Sequence, residues 1–239
     1  SDFVLEDEGG GGTPRPTLTP EAVAEQDLRL DEVEVVGRRR RDPLRSGGSS
    51  AHLDEDQLDT LDYDDPHQLL LQIPGIYIRT EDGFGLRPNI GLRGTNPERS
   101  KKVTLLEDGV LFGPAPYAAP AAYYFPLMAR MTGVDVYKGP GALLYGPQTI
   151  GGAIDFRSRD VPSGSGGACD GAFGRFSSRR LHLHWGTSNR HGGILFEGLD
   201  VASDGFKEID GSDRSTGFHR SDFRVRAFLQ NDPDSSTYH

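Results

Sequence analysis

The sequence predicts an α+β domain followed by antiparallel β-strands that begin a membrane β-barrel, left incomplete in this chain. Three observations carry that reading. Over residues 51–160, short apolar runs of strand and helix character alternate between strong turn signals. Past Pro162 the hydrophobic period becomes two over segments of ~10 residues, the length of a membrane-crossing strand. No run of ~18 apolar residues is present, which excludes a transmembrane helix and leaves a barrel open.

Taken in order, residues 1–50 read as a disordered extension. Gly9–Gly12 is a glycine run, Pro14, Pro16 and Pro20 follow, and large apolar residues are sparse. Val33, Val35 and Val36 form a β-prone island stopped by Gly37 and the arginine run Arg38–Arg41, which reads as a solvated linker. The charge of −10 belongs to this end: residues 1–65 hold 18 acidic and 7 basic side chains. The remainder is near neutral, so nucleic-acid binding has no electrostatic support. A single cysteine, Cys169, excludes an internal disulfide and a cysteine-only zinc site.

Residues 51–160 form the α+β domain. Asp65 suits a helix N-cap with Pro66 at the first helical position. Ile76–Ile78 and Ile90–Gly94 are short strands. Val103–Val110 is a strand running into a turn at Asp108-Gly109, a strong hairpin signal. Tyr123–Met131 is expected to be one helix with Pro126 in its first turn. Val134–Tyr137 and Ala153–Ser158 are strands around the glycine-rich stretch Gly139–Asp155.

That stretch raises two possibilities: a phosphate cradle, or a crowded structural joint. A phosphate loop needs lysine and serine or threonine after its last glycine, whereas Gly146 is followed by Pro147-Gln148-Thr149. A dinucleotide fingerprint fails because Leu144 occupies the third glycine position. The glycines read as structural.

Residues 161–239 carry three amphipathic strands, around Leu181–Trp185, Ile194–Leu199 and Phe223–Leu229, with Ala172–Phe176 as a fourth. The connection Thr187–Gly192 is short and Ser203–Gly217 is long, the habit of outer-membrane barrels. The same alternation suits a soluble antiparallel sheet with one wet face, and the pattern alone leaves both open. His182 and His184 share one strand face, as lumen-facing polar residues or as a metal pair. No cofactor, metal site or catalytic constellation stands out, so no enzyme is expected.

Four motifs then occur in order: "IPGIYIR" (Ile73–Arg79), "NIGLRG" (Asn89–Gly94), "TLLEDGV" (Thr104–Val110) and "GVDVYKGPGALLYGPQTIGGAIDF" (Gly133–Phe156). With their spacing, the chain resembles TonB-dependent outer-membrane receptors over residues 53–160. "FGPAPYAAPAAYY" and "YGPQTIGG" look most like the ferric-citrate type.

The resemblance implies a plug domain inside a 22-stranded barrel that imports an iron chelate, ferric citrate or another siderophore. Other cargo, such as cobalamin or an oligosaccharide, and a non-transporting periplasmic module that binds TonB are the alternatives. It implies a Gram-negative outer-membrane location among lipid, with the N-terminus periplasmic. Asp31, Glu32, Val33, Glu34, Val35 and Val36 look like the TonB box. Such a box adds as a strand to the C-terminal domain of TonB, part of an inner-membrane energising complex. Phe112, Pro116, Tyr117 and Gln148 are the implied ligand contacts. Arg93 and Lys138 are the implied plug-to-barrel lock, although lysine lacks the bidentate grip of arginine. The 77 residues after Pro162 suffice for roughly four strands, so a fragment of a longer receptor is expected.

Overall fold

The computed structural model describes residues 48–62, 64–112, 124–146, 149–207, 211 and 216–229. The segment Asp31–Val36, the run Arg38–Arg41, and Pro116, Tyr117 and Gln148 lie outside the described residues.

The α+β domain is built on a five-stranded sheet. Its strands are β1 (Ser49–Leu53), β4 (Val103–Glu107), β5 (Val110–Leu111), β6 (Met131–Lys138) and β7 (Gly152–Ser158), in the order β1-β6-β7-β4-β5. Only β4 and β7 run parallel; the other pairs are antiparallel. Two helices, α1 (Glu55–Leu61) and α2 (Pro66–Leu70), follow β1. Strands β2 (Ile76–Arg79) and β3 (Asn89–Leu92) pair as a separate ribbon.

Local chemistry sets the boundaries. Asp54 caps α1 through a capping box with Gln57, satisfying donors that the first turn leaves free. Asp65 caps α2 by accepting from His67 N at 2.8 Å, with Pro66 at the first position as expected. The turn between β4 and β5 puts Asp108 and Gly109 both at positive φ, 53° and 77°, matching the twist of a tight hairpin.

Apolar residues from one face of the sheet make the main core. Val103, Leu105, Val134, Val136, Ile154 and Phe156 are fully buried and meet Leu70, Ile90 and Leu92. Gly152 shows why the glycine-rich stretch is a joint. Its φ is 152°, and a Cβ there would lie 2.4 Å from the carbonyl oxygen of Tyr137 on the paired strand. The segment before it, Pro140–Tyr145, is a 3₁₀ helix rather than an α-helix start.

One expectation is overturned. Tyr124–Leu127 carry no regular structure, and only Met128–Arg130 form a 3₁₀ turn. Pro126 removes an N–H, Leu127 is extended (ψ 127°), and the stretch instead spends its apolar side chains on the core, with Phe125 and Met128 buried.

Four strands follow as a meander: β8 (Gly166–Phe173), β9 (Arg179–Asn189), β10 (Gly192–Ser203) and β11 (Phe218–Leu229), in the order β11-β10-β9-β8. The first begins and ends earlier than Ala172–Phe176, because Phe176 and Ser177 adopt positive φ in the turn to β9. The sheet is inside out by soluble standards. Trp185, Phe196 and Val225 stand in one cross-strand row, and Leu183, Gly198 and Phe223 in the next. Yet Trp185, Val225 and Phe223 are 50%, 50% and 74% exposed. The opposite face carries Arg180, His182, Glu197, Arg224 and Arg226 and packs on the α+β domain.

Candidate functional site

The face where the four strands meet the α+β domain is the most highly charged buried surface among the described residues. Arg130 stands at its centre, 3% exposed. The 3₁₀ turn and the start of β6 aim its guanidinium at Glu107, the last residue of β4. Nη1 and Nη2 donate to the two carboxylate oxygens at 2.5 and 3.0 Å, and Nε donates to Asp222 of β11 at 2.8 Å. The hydroxyl of Tyr124 accepts a further bond from Nη2 at 2.8 Å. Burial works against this charge, but the hydrogen bonds and charge of Glu107 outweigh it and hold the guanidinium ionised well above its usual range.

Two more groups of contacts flank it. Arg180 of β9 donates to Asp64 at 2.7 Å and Asp62 at 2.9 Å, in the link between α1 and α2, and to Asp170 at 3.0 Å. Arg224 and Arg226 of β11 both reach Asp108 in the β4–β5 turn. Behind them Glu197, 2% exposed, accepts from His182 Nε2 at 3.1 Å and lies 3.6 Å from Arg224. The spacing of His182 and His184 therefore puts both on the inner face, with rings 5.6 Å apart. Among the described residues no group of three or more His, Cys, Asp or Glu side chains is placed to hold a metal ion.

A second charged row lies inside the domain. His52 Nδ1 is 2.6 Å from Asp135 Oδ1, and Arg157 pairs with the other oxygen, linking β1, β6 and β7. Asp155 stands opposite Asp135 and accepts from Gly109 N at 2.9 Å. Burial pushes the Asp155 carboxyl up to about 6, against the Gly109 hydrogen bond, and the nearby Asp135 and Asp108 add to the rise.

Phe112 is 9% exposed, stacks edge-on against Tyr124 and Phe125 at 5.6 and 5.9 Å, and lines a cleft of about 500 Å³ beside Arg224 and Arg226. Arg93 is exposed, with its backbone N–H bonded to Gly75 O at 2.9 Å. Lys138 Nζ donates to Pro74 O at 2.8 Å. Arg93 and Lys138 lie close together, since Arg93 Nη1 is 3.4 Å from the Cβ position of Gly139. Among the described residues no hydrogen bond or ion pair joins either side chain to β8–β11. Arg130 was missed by sequence reasoning. Its only signal was an arginine set inside the apolar run Phe125–Met131, where a buried cation demands a partner.

A family model described as the TonB-dependent receptor plug domain matches residues 42–153. The vitamin B12 transporter BtuB of Vibrio vulnificus (strain YJ016) is 26% identical over 200 residues, covering 81% of this chain and 32% of that protein. The ferric yersiniabactin uptake receptor FyuA of Yersinia pestis superposes with a TM-score of 0.59 at 22% identity, over 77% of this chain and 30% of FyuA. The siderophore receptor PirA of Acinetobacter baumannii gives 0.61 at 18% identity, over 78% and 30%. The chain thus spans 32% of the length of a relative that it matches by sequence. These relatives are transporters and receptors, not enzymes, and their named cargoes differ. The structural likeness extends past the matched segment into the four strands, whose exposed apolar face is that of a barrel wall. Residues 42–153 match the TonB-dependent receptor plug domain, and β8–β11 are antiparallel strands with the fold that opens a barrel.

Proposed function

We propose that the chain is the plug and first wall strands of an outer-membrane receptor that imports a metal chelate by TonB-dependent transport. The observation that carries this reading is the inverted sheet. An antiparallel wall with Trp185, Phe223 and Val225 outward and Arg180, Glu197 and Arg224 inward suits hydrocarbon on one side and a plug on the other. A soluble sheet would hide the first set and expose the second.

In this reading residues 31–36 lie on the periplasmic side and pair as a strand with the C-terminal domain of TonB. Main-chain bonds supply the grip. Cargo meets the loop holding Phe112, Pro116 and Tyr117, with Gln148 offering amide donors. Arg93 and Lys138 contact wall strands other than β8–β11. The cargo is an iron chelate, with ferric citrate one candidate. A cobalamin is the second reading, favoured by the likeness to a vitamin B12 transporter.

Uptake of radiolabelled ferric citrate, ferric siderophores and cyanocobalamin by cells carrying the full-length receptor, with and without TonB, tests both. TonB-dependent accumulation of one chelate supports the reading and names the cargo. Uptake of none of them, or uptake unchanged without TonB, sinks it. Deleting Asp31–Val36 should abolish uptake and leave cargo binding intact.

A further inference from the structure

The ionic contacts between plug and strands run mostly opposite to the plug-arginine lock that family resemblance implies. The best-built of them centres on Asp108. This residue sits at the first position of the β4–β5 turn with φ 53°. Its carboxylate is held from within the α+β domain, because Ser158 donates to it through the backbone N–H at 3.0 Å and through the hydroxyl. Arg224 and Arg226, two residues apart on the inner face of β11, both donate to Asp108 Oδ2, Arg224 at 3.2 Å. Arg226 also reaches Asp160 and the carbonyl of Arg159, the latter at 3.2 Å. The side chains of Asp108, Arg224 and Arg226 are only 15%, 17% and 17% exposed.

Three physical points give this contact a role. Two largely desolvated guanidinium groups need compensating charge in place, or their burial is costly. A carboxylate already held by its own turn loses little conformational freedom when the arginines dock. The contact also reads register: a one-residue slip of β11 would turn both arginines onto the apolar outer face.

We infer that the Asp108-Gly109 turn is the plug's docking latch on the barrel wall and that Arg224 and Arg226 of β11 are its receptor, with the acid on the plug and the bases on the wall. The latch rests on the receptor reading, because only there do β8–β11 form a wall around a plug. It would hold the plug seated and the lumen sealed on the side of β11.

The test uses the full-length receptor in outer membranes, with Asp108→Asn, the pair Arg224→Gln/Arg226→Gln, and all three together. The readouts are the rate of tryptic cleavage within the plug and the entry of a bulky hydrophilic antibiotic. Asp108→Asn and the arginine pair should each raise both rates several-fold. The triple variant should be no worse than the more severe of the two, because one contact has been removed. The milder Asp160→Asn, at a 59% exposed carboxylate, should move the rates in the same direction by less and guards against misfolding of the turn. Wild-type rates in Asp108→Asn, or fully additive increases in the triple variant, overturn the latch. A plug-deleted receptor that opens no pore refutes the receptor reading separately, while the cleavage rates still report on plug-to-strand coupling.

Discussion

Arg130 Nε and Asp222 Oδ2 lie 2.8 Å apart although 92 residues separate them, and they tie the plug to the fourth strand of the wall. The same guanidinium grips Glu107 with both of its terminal nitrogens. Replacing Arg130 by leucine leaves Glu107 and Asp222 facing each other without a cation. Stability of the plug should fall by about 3–5 kcal/mol, the usual cost of orphaning a buried pair. Arg130→Lys should recover only part of it, since an ammonium cannot fork across a carboxylate. Chemical unfolding of the two variants, followed by a probe in the plug, measures both.

Asp155 makes stability depend on pH with a sign opposite to the usual carboxylate. Its folded-state pKa of about 6 lies above the ordinary aspartate value, so the folded plug binds the proton more tightly than the unfolded chain. Its contribution is therefore complete below pH ~4 and is lost as pH rises toward 6. Asp155→Asn keeps an acceptor for Gly109 N and removes the titration. The variant should show a flatter stability profile between those limits and be the more stable protein at neutral pH. A profile that keeps its wild-type slope there assigns the titration to another group.

Gly152→Ala forces a methyl group to within 2.4 Å of the Tyr137 carbonyl, at a φ that side chains avoid. The nearest neighbour is backbone and the next, Leu92 Cδ1 at 2.9 Å, belongs to a fully buried side chain, so little can move aside. A loss of about 1–3 kcal/mol is expected, as for overpacking elsewhere. The thermal unfolding midpoint reads it, with Gly109→Ala as a comparison in which strain acts without a clash.

Val225→Lys separates a membrane wall from a soluble sheet. On a wall the charge meets hydrocarbon and should cost about 2–4 kcal/mol near the bilayer midplane. On a soluble sheet it would improve solubility and cost almost nothing. Folding yield of the full-length receptor into lipid vesicles, against that of His184→Lys on the inner face, shows which surface lipid touches.

Most of the fold was legible because it is locally encoded. Asp108-Gly109 announces a hairpin by backbone preference alone, and the cap of α2 is written in Asp65-Pro66. The alternation in Phe223–Leu229 fixes which residues share a face, but not which face is wet. The charged interface was not legible in the same way. Arg180 finds Asp62 and Asp64 across more than a hundred residues, and no local pattern states that distance. Tyr123–Met131 misled for a related reason. Its helical spacing is real, but Pro126 and the demand of Glu107 for Arg130 decide the backbone.

Strand order carries a consequence for how the plug comes together. β7 lies between β6 and β4, and it is the last of the five strands to be made. Until Gly152–Ser158 emerge, β1 with β6 and β4 with β5 are two separate ribbons with no main-chain bond between them. The sheet therefore closes by inserting its final strand into a waiting gap, a non-local step of the slow kind. A chain passing through a secretion channel in N-to-C order would keep its plug open, and so threadable, until that strand arrived.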